Sequence, residues 1–260
     1  MGIATGRRQK ISRITITLLI SGCVLVLSAC QDADAPVQLP PTATPILFVL
    51  MPDLLTTSQP AENQSITTIG YVLADQTGAI LVDAVVFDPS GKPRPLDTGT
   101  TPLWLGADVP AKLQGLLRAA GNVEYASVVA RAHLSEPGGY GPSGQYRYRL
   151  TDPILQPLAA QETTIADLLN SPVAYQSQLV RMVGGLLIRE TSALLVDKLG
   201  PGGIPEPKAR QIKLRAPIND QAVLARLKSA PSGAVHFGQI QIEGLWRDGT
   251  LTPLSITIIS

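Results

Sequence analysis

The sequence predicts a mainly β protein, built as two tandem five-stranded barrels that each carry one helix between the third and fourth strands. Three observations carry this expectation. A stretch at 70–83 recurs without a gap at 184–197, with the same residue at the Gly, Leu, Thr, Ala, Leu, Val and Asp positions. Apolar and β-branched residues alternate with polar ones over strand-length segments in both regions. Turn signals rich in Gly, Pro and Asp punctuate those segments.

The chain opens with Arg7, Arg8, Lys10 and Arg13, runs through the apolar stretch 14–27 and reaches Leu27-Ser28-Ala29-Cys30. A cationic start, a short apolar run and a small-residue end make up the layout of a secretory signal. The run is shorter than the roughly 20 residues a membrane-spanning helix needs. It is followed by polar Gln31-Asp32-Ala33-Asp34 rather than by a stop-transfer flank. The ending Leu27-Ser28-Ala29-Cys30 resembles the lipobox of bacterial lipoproteins. That resemblance implies removal of 1–29 and a diacylglyceryl group on Cys30, with palmitate-type acyl chains holding an extracytoplasmic protein to the cell membrane. A second box, Ile20-Ser21-Gly22-Cys23, fits the pattern too, but its use would leave Val24-Leu25-Val26-Leu27 as an exposed apolar start. Cys30 is therefore the expected lipidation site.

Cleavage before Cys30 takes away four of the 21 Lys and Arg and none of the 20 Asp and Glu, so a precursor of net charge +1 becomes a mature chain near −3. A mildly acidic protein lacks the electrostatic footprint of a nucleic-acid binder, and no nucleic-acid partner is expected. With Cys23 removed and Cys30 acylated, no disulfide within the chain is expected, and the apolar core must hold the fold.

From Cys30 to Pro45 the chain is rich in Pro, Thr, Ala and Asp, with little to bury, and reads as an extended tether at 30–45. The apolar run 46–51 then opens a first domain at 46–160, as a strand or a helix. In that domain the pattern places strands at 67–73, 79–87, 103–105, 127–134 and 145–150 and a helix at 109–119. A second domain at 161–260 repeats the order with strands at 179–188, 193–197, 211–215, 235–245 and 251–259 and a helix at 220–229. The helical stretch 113–120 is matched with 223–230, and the strand 127–131 with 238–242. Arg247-Asp248-Gly249 signals a tight turn between the last two strands. A short helix at 164–169 precedes the second set.

Five strands with a single helix between the third and fourth resemble the oligonucleotide/oligosaccharide-binding (OB) barrel. The likeness is architectural, covers most of 65–260 and brings no catalytic motif. A single two-sheet sandwich is the rival arrangement, which the repeated helix disfavours.

The chemistry-bearing motifs of common enzymes are missing: no Gly-x-Ser-x-Gly elbow, no phosphate-binding Gly-x-x-x-x-Gly-Lys and no Cys/His cluster with metal spacing. The chain is accordingly expected not to be an enzyme, with no cofactor, no metal site and no catalytic residues. His133 and His236 read as ordinary strand histidines, because zinc takes three or four converging ligands. Asp83 and Asp197 close the second strand of each copy and read as turn or cap residues.

The richest segment is the Gly/Pro loop 135–144 followed by Gln145-Tyr146-Arg147-Tyr148-Arg149-Leu150. In a barrel of this type it joins strands four and five and is one of the loops used to grip ligands. Strand alternation puts Tyr146, Tyr148 and Leu150 on one face and Arg147 and Arg149 on the other, which fits core tyrosines with solvated arginines. A sharper reading makes Tyr140, Arg147 and Arg149, with Lys92 and Arg94 from the loop 87–101, a cationic and aromatic rim for a glycan, an acidic peptide or a polyanion. Trp104 and Trp246 read as packing residues. The leading functional expectation is a lipid-anchored envelope module that binds a protein or cell-wall glycan, mainly through the first domain's loops. The alternatives are a structural spacer and, more remotely, an enzyme or its accessory domain.

Overall fold

The computed structural model describes residues 48–56, 65–108, 113, 115–190, 192–215, 217–230 and 233–259. The signal segment, Cys30 and the tether lie outside the described residues. So do 109–112 and 114 of the expected helix 109–119, and 46–47 of the run 46–51. Among the described residues, no helix is long and apolar enough to cross a membrane.

The chain is mainly β. Strands β1 (Val49–Leu50), β2 (Ser65–Asp75), β3 (Gly78–Val82), β4 (Val85–Phe87), β5 (Pro93–Pro95), β6 (Leu103–Gly106), β7 (Arg118–Ala120), β8 (Val123–Leu134) and β9 (Tyr148–Pro157) form the N-terminal part. The C-terminal part holds β10 (Gln161–Glu162), β11 (Gln178–Arg189), β12 (Ser192–Val196), β13 (Gln211–Leu214), β14 (Lys228–Ser229), β15 (Val235–Arg247) and β16 (Thr250–Ile259). Short α-helices occupy Met51–Thr56, Ile165–Asn170 and Gln221–Leu224.

In the N-terminal part, β2, β3, β6, β9 and β8 pair in that order, and β8 returns to β2, which closes a five-stranded barrel. Closure leaves no free edge within the ring. One side chain in two along each strand points inward, so Val72, Leu81, Leu103, Val128, Leu134 and Leu150 fill the interior. In the C-terminal part β11, β12, β13, β16 and β15 pair in the same order, and β15 returns to β11. Val180, Met182, Leu186, Leu195, Ile212 and Ile242 fill that ring, with Ile165 and Leu168 of the preceding helix packed on it. Thr164 caps this helix by accepting the backbone N–H of Asp167.

The sequence repeat is a structural repeat. Val72 faces Leu81, Leu73 faces Ile80 and Ala74 faces Ala79 across β2 and β3; Leu186 faces Leu195, Leu187 faces Leu194 and Ile188 faces Ala193 across β11 and β12. The shared glycines mark a close crossing. A Cβ on Gly70 would stand 2.4 Å from the Val82 carbonyl oxygen, and one on Gly184 would stand 2.9 Å from that of Val196. Asp83 accepts the Ala84 N–H and the Thr98 hydroxyl, while Asp197 accepts the Arg210 N–H. Each repeated carboxylate therefore ties down the chain as it leaves the second strand. Burial of Asp83 raises its pKa above the ordinary carboxylate value.

Several expectations need correction. The segment 79–87 is two strands, because the chain turns out of the N-terminal ring after Val82. Val85, Val86 and Phe87 then pair in parallel with Ser255, Ile256 and Thr257 of β16. The hairpin of β4 and β5 thereby extends the C-terminal sheet, and Ala84, Val86 and Leu96 belong to its core. Arg118 and Ala119, placed in a helix by their pattern, are strand, as are Lys228 and Ser229; helix in the second copy is limited to one turn capped by Asp220. The fifth strand of the first copy spans Tyr148–Pro157 rather than 145–150. Matching 127–131 with 238–242 is one residue out: Tyr71 faces Ser127 and its repeat counterpart Gly185 faces Gln239. A slip of one residue exchanges the two faces of a strand, and the observed register keeps Val128 and Ile240 inside.

The outer faces of the two rings meet through Ile69, Tyr71, Leu73, Leu179, Leu245 and Leu254, which form one buried cluster. This double-sided burial accounts for the almost unbroken apolar reading of β2. Arg94 of β5 adds an ionic tie by holding Asp220 with two hydrogen bonds, 2.6 and 2.7 Å.

Candidate functional site

The loop after β8 is a folded arm. Ser135 N–H donates to Arg149 O, Gly138 N–H to Arg147 O, and Tyr140 and Tyr146 exchange both backbone hydrogen bonds at 2.9 and 3.1 Å. These bonds prolong the β8–β9 ladder outward and fix the tip. The Tyr140 hydroxyl donates to Glu136 O at 3.0 Å. Gly141 turns the arm at φ +82°, and its missing Cβ leaves room for the Tyr146 ring.

Tyr146 lies flat on Trp104, with ring centroids 5.3 Å apart and planes 15° apart. The indole in turn lies against Gly78, where a Cβ would come within 2.4 Å of the ring. Beside this stack is a depression of about 170 Å³ lined by Asp75, Thr77, Pro93, Arg94, Trp104 and Tyr146. Asp75 holds the adjoining turn by accepting the Thr77 hydroxyl and N–H, and those bonds lower its pKa.

Of the residues singled out by sequence, Tyr140, Arg147 and Arg149 lie on or at the base of one arm. Both arginines are exposed, whereas Tyr148 and Leu150 are buried. The Arg147 guanidinium lies 5.5 Å from the Tyr148 ring centroid. Lys92 reaches instead to the Asn122 side chain, 2.8 Å away. Arg94 lines the depression but is committed to Asp220, whose carboxyl it holds down at a pKa of about 2. Sequence alone reads Trp104 as a packing residue and Tyr146 as a core tyrosine; the structure stacks them on each other. Alternation carried the signal: Leu103 and Leu105 face the core, which turns Trp104 outward.

A second site lies where the outer faces of the rings diverge. Past the dry contact of Leu179 and Leu245, a cleft of about 580 Å³ opens between Tyr125, Ser127 and Leu158 on one side and Arg181, Gln241, Glu243 and Thr257 on the other. At its base the Tyr71 hydroxyl donates to Glu243 at 2.5 Å. Arg181 donates through Nε to the other oxygen of Glu243 at 2.7 Å and through Nη1 to Glu162 at 2.7 Å. Burial, reinforced by the negative Glu243, raises the Tyr71 pKa well above the usual phenol value. Phe87 and Tyr125 meet edge to face at 5.2 Å beside this network.

His133 pairs across the ladder with Thr151, and His236 contacts Ser229 Oγ at 3.3 Å. Among the described residues, no three His, Cys, Asp or Glu side chains converge as a metal site would require. Comparisons with protein-family models, curated proteins and solved structures gave no match.

Proposed function

We propose that the protein is a lipid-anchored envelope lipoprotein acting as a non-enzymatic binding module for a protein or cell-wall glycan partner. Its two rings are tandem OB-like barrels, 46–160 and 161–260, with the hairpin of β4 and β5 lent by the first to the second. The common strand order and the common β2/β3 and β11/β12 register support that reading. Cys30 carries the lipid, and 30–45 lifts the barrels from the membrane surface.

The observation that carries the binding role is the rigid arm and its Tyr146–Trp104 stack. A solvated filler loop has no reason to hold two tyrosines in a cross-strand pair or to lay one of them on a tryptophan. Ordered aromatic rings offer a flat apolar face at little entropic cost, and the exposed Arg147 and Arg149 add charge-assisted donors at the base. The second copy lacks this equipment: by register Lys213 stands where Trp104 does, and the turn at Asp248 and Gly249 replaces the arm.

The test is replacement of Tyr140, Arg147 and Arg149 together by Ala. The variant is expected to keep its thermal transition and lose partner binding. Full retention of the partner would defeat the proposal in favour of a spacer, which should fail instead when 30–45 is shortened.

A further inference from the structure

The cleft between the rings has no part in the arm's proposed role, and its walls are chemically unlike one another. We propose that it binds a short saccharide bearing a carboxylate, at a site separate from the arm. About 580 Å³ falls within the range of small-molecule sites. One wall offers Tyr125 and Leu158, met edge to face by Phe87, which reaches across from the sheet of the other wall; that other wall offers the hydrogen-bonding groups of Arg181, Gln241 and Glu243. A pyranose ring has the same two-sidedness, with C–H faces that lie on apolar or aromatic surfaces and hydroxyls at its edge that need both donors and acceptors.

The polar wall is preorganised. Glu243 is held at one oxygen by Tyr71 and at the other by Arg181, which Glu162 holds in turn. These groups lose little freedom when a ligand arrives. At the cleft's edge stands Arg118 of β7, exposed, its backbone paired with Tyr125 and its guanidinium without an ion-pair or hydrogen-bond partner among the described residues. An unpaired guanidinium there favours an anionic substituent.

The backbone argues against an extended peptide as occupant. Peptides that join sheets use an unpaired strand edge, but β8, β11, β15 and β16, which form the walls, are each paired on both sides, and the open edge of β7 beside them is only three residues long. Recognition in the cleft falls to side chains.

Calorimetric titration of the whole chain with trigalacturonate, its methyl ester and a Glu-rich hexapeptide tests the proposal. Trigalacturonate is expected to bind with Kd of about 1 mM or tighter. The uncharged ester and the Arg118→Gln variant should each bind about tenfold more weakly, the loss expected for one charge-assisted hydrogen bond. The triple variant of Tyr140, Arg147 and Arg149 should bind trigalacturonate unchanged, so that failure of the arm reading and failure of this one are distinguishable. No binding of trigalacturonate up to about 10 mM overturns the proposal. So does tighter binding of the hexapeptide, or an Arg118→Gln variant that binds as well as the parent.

Discussion

Asp220 carries three contacts at once: the two-pronged bond from Arg94, the Asp97 N–H at 3.1 Å, and the cap on the helix Gln221–Leu224 through the Val223 N–H at 3.0 Å. Its side chain is only 3% exposed, against 40% for Arg94. The folded-state pKa of about 2, set against an ordinary 3.8, corresponds to about 2 kcal/mol at roughly 1.4 kcal/mol per pKa unit. Asp220→Asn keeps a capping acceptor and loses the charge, and should cost about 2 kcal/mol at pH 7. Asp220→Ala also loses the cap and should cost about 3 kcal/mol. For a chain of this size the Asn variant then melts roughly 4–8 °C lower. Because the folded pKa lies below the unfolded one, this stabilisation is complete above about pH 5 and fades as pH falls from about 4 through about 2. Urea unfolding of parent and Asn variant from pH 7 down to pH 2 is the assay. A difference below about 0.5 kcal/mol at pH 7, or one that persists undiminished at pH 2, would refute the reasoning.

Gly70→Ala forces a Cβ onto the Val82 carbonyl and should cost about 3 kcal/mol in urea unfolding, more than Gly184→Ala, where the approach is looser. Tyr71 should stay un-ionised in the folded protein at pH 11, so Tyr71→Phe should leave the phenolate absorbance gained by that pH unchanged; a decrease by one tyrosine would show that Tyr71 titrates normally. Tyr146→Ala should uncover Trp104, shifting tryptophan emission to the red and increasing acrylamide quenching, at a stability cost of about 1 kcal/mol. Trp246, whose indole N–H donates to Pro172 O at 3.1 Å from within the core, should contribute no such change.

Much of the strand framework was legible because strand periodicity and core burial are the same fact seen twice. The segment 179–188 falls inside β11, 193–197 overlaps β12 except for Asp197, and the turn at Asp248 and Gly249 has both residues at positive φ, as a tight hairpin requires. What escaped was long-range. Nothing local in Ala84-Val85-Val86-Phe87 says that its partner is β16, 170 residues further along the chain. The sequence 109–119 has a helical apolar pattern, yet its end pairs with β8 because strand addition there satisfies backbone groups a frayed helix would leave open.

The candidate site divides the same way. The exposure of Arg147 and Arg149 follows from alternation, and so does the outward turn of Trp104. The partnership of Arg94 with Asp220, and of Tyr71 with Glu243, joins positions 126 and 172 residues apart, and no sequence pattern encodes them. The cleft belongs to the same class, since its walls come from both rings.

The proposed binding role brings the arm of the N-terminal barrel against a partner in the envelope. Photo-crosslinking in intact cells, with a photoreactive residue at Tyr140 and a control at Asp248 in the short turn, tests it most directly. The expected result is a discrete adduct at Tyr140 that disappears when Arg147 and Arg149 are replaced by Ala, and none at Asp248. Equal labelling at both positions, or no adduct at either, would contradict it.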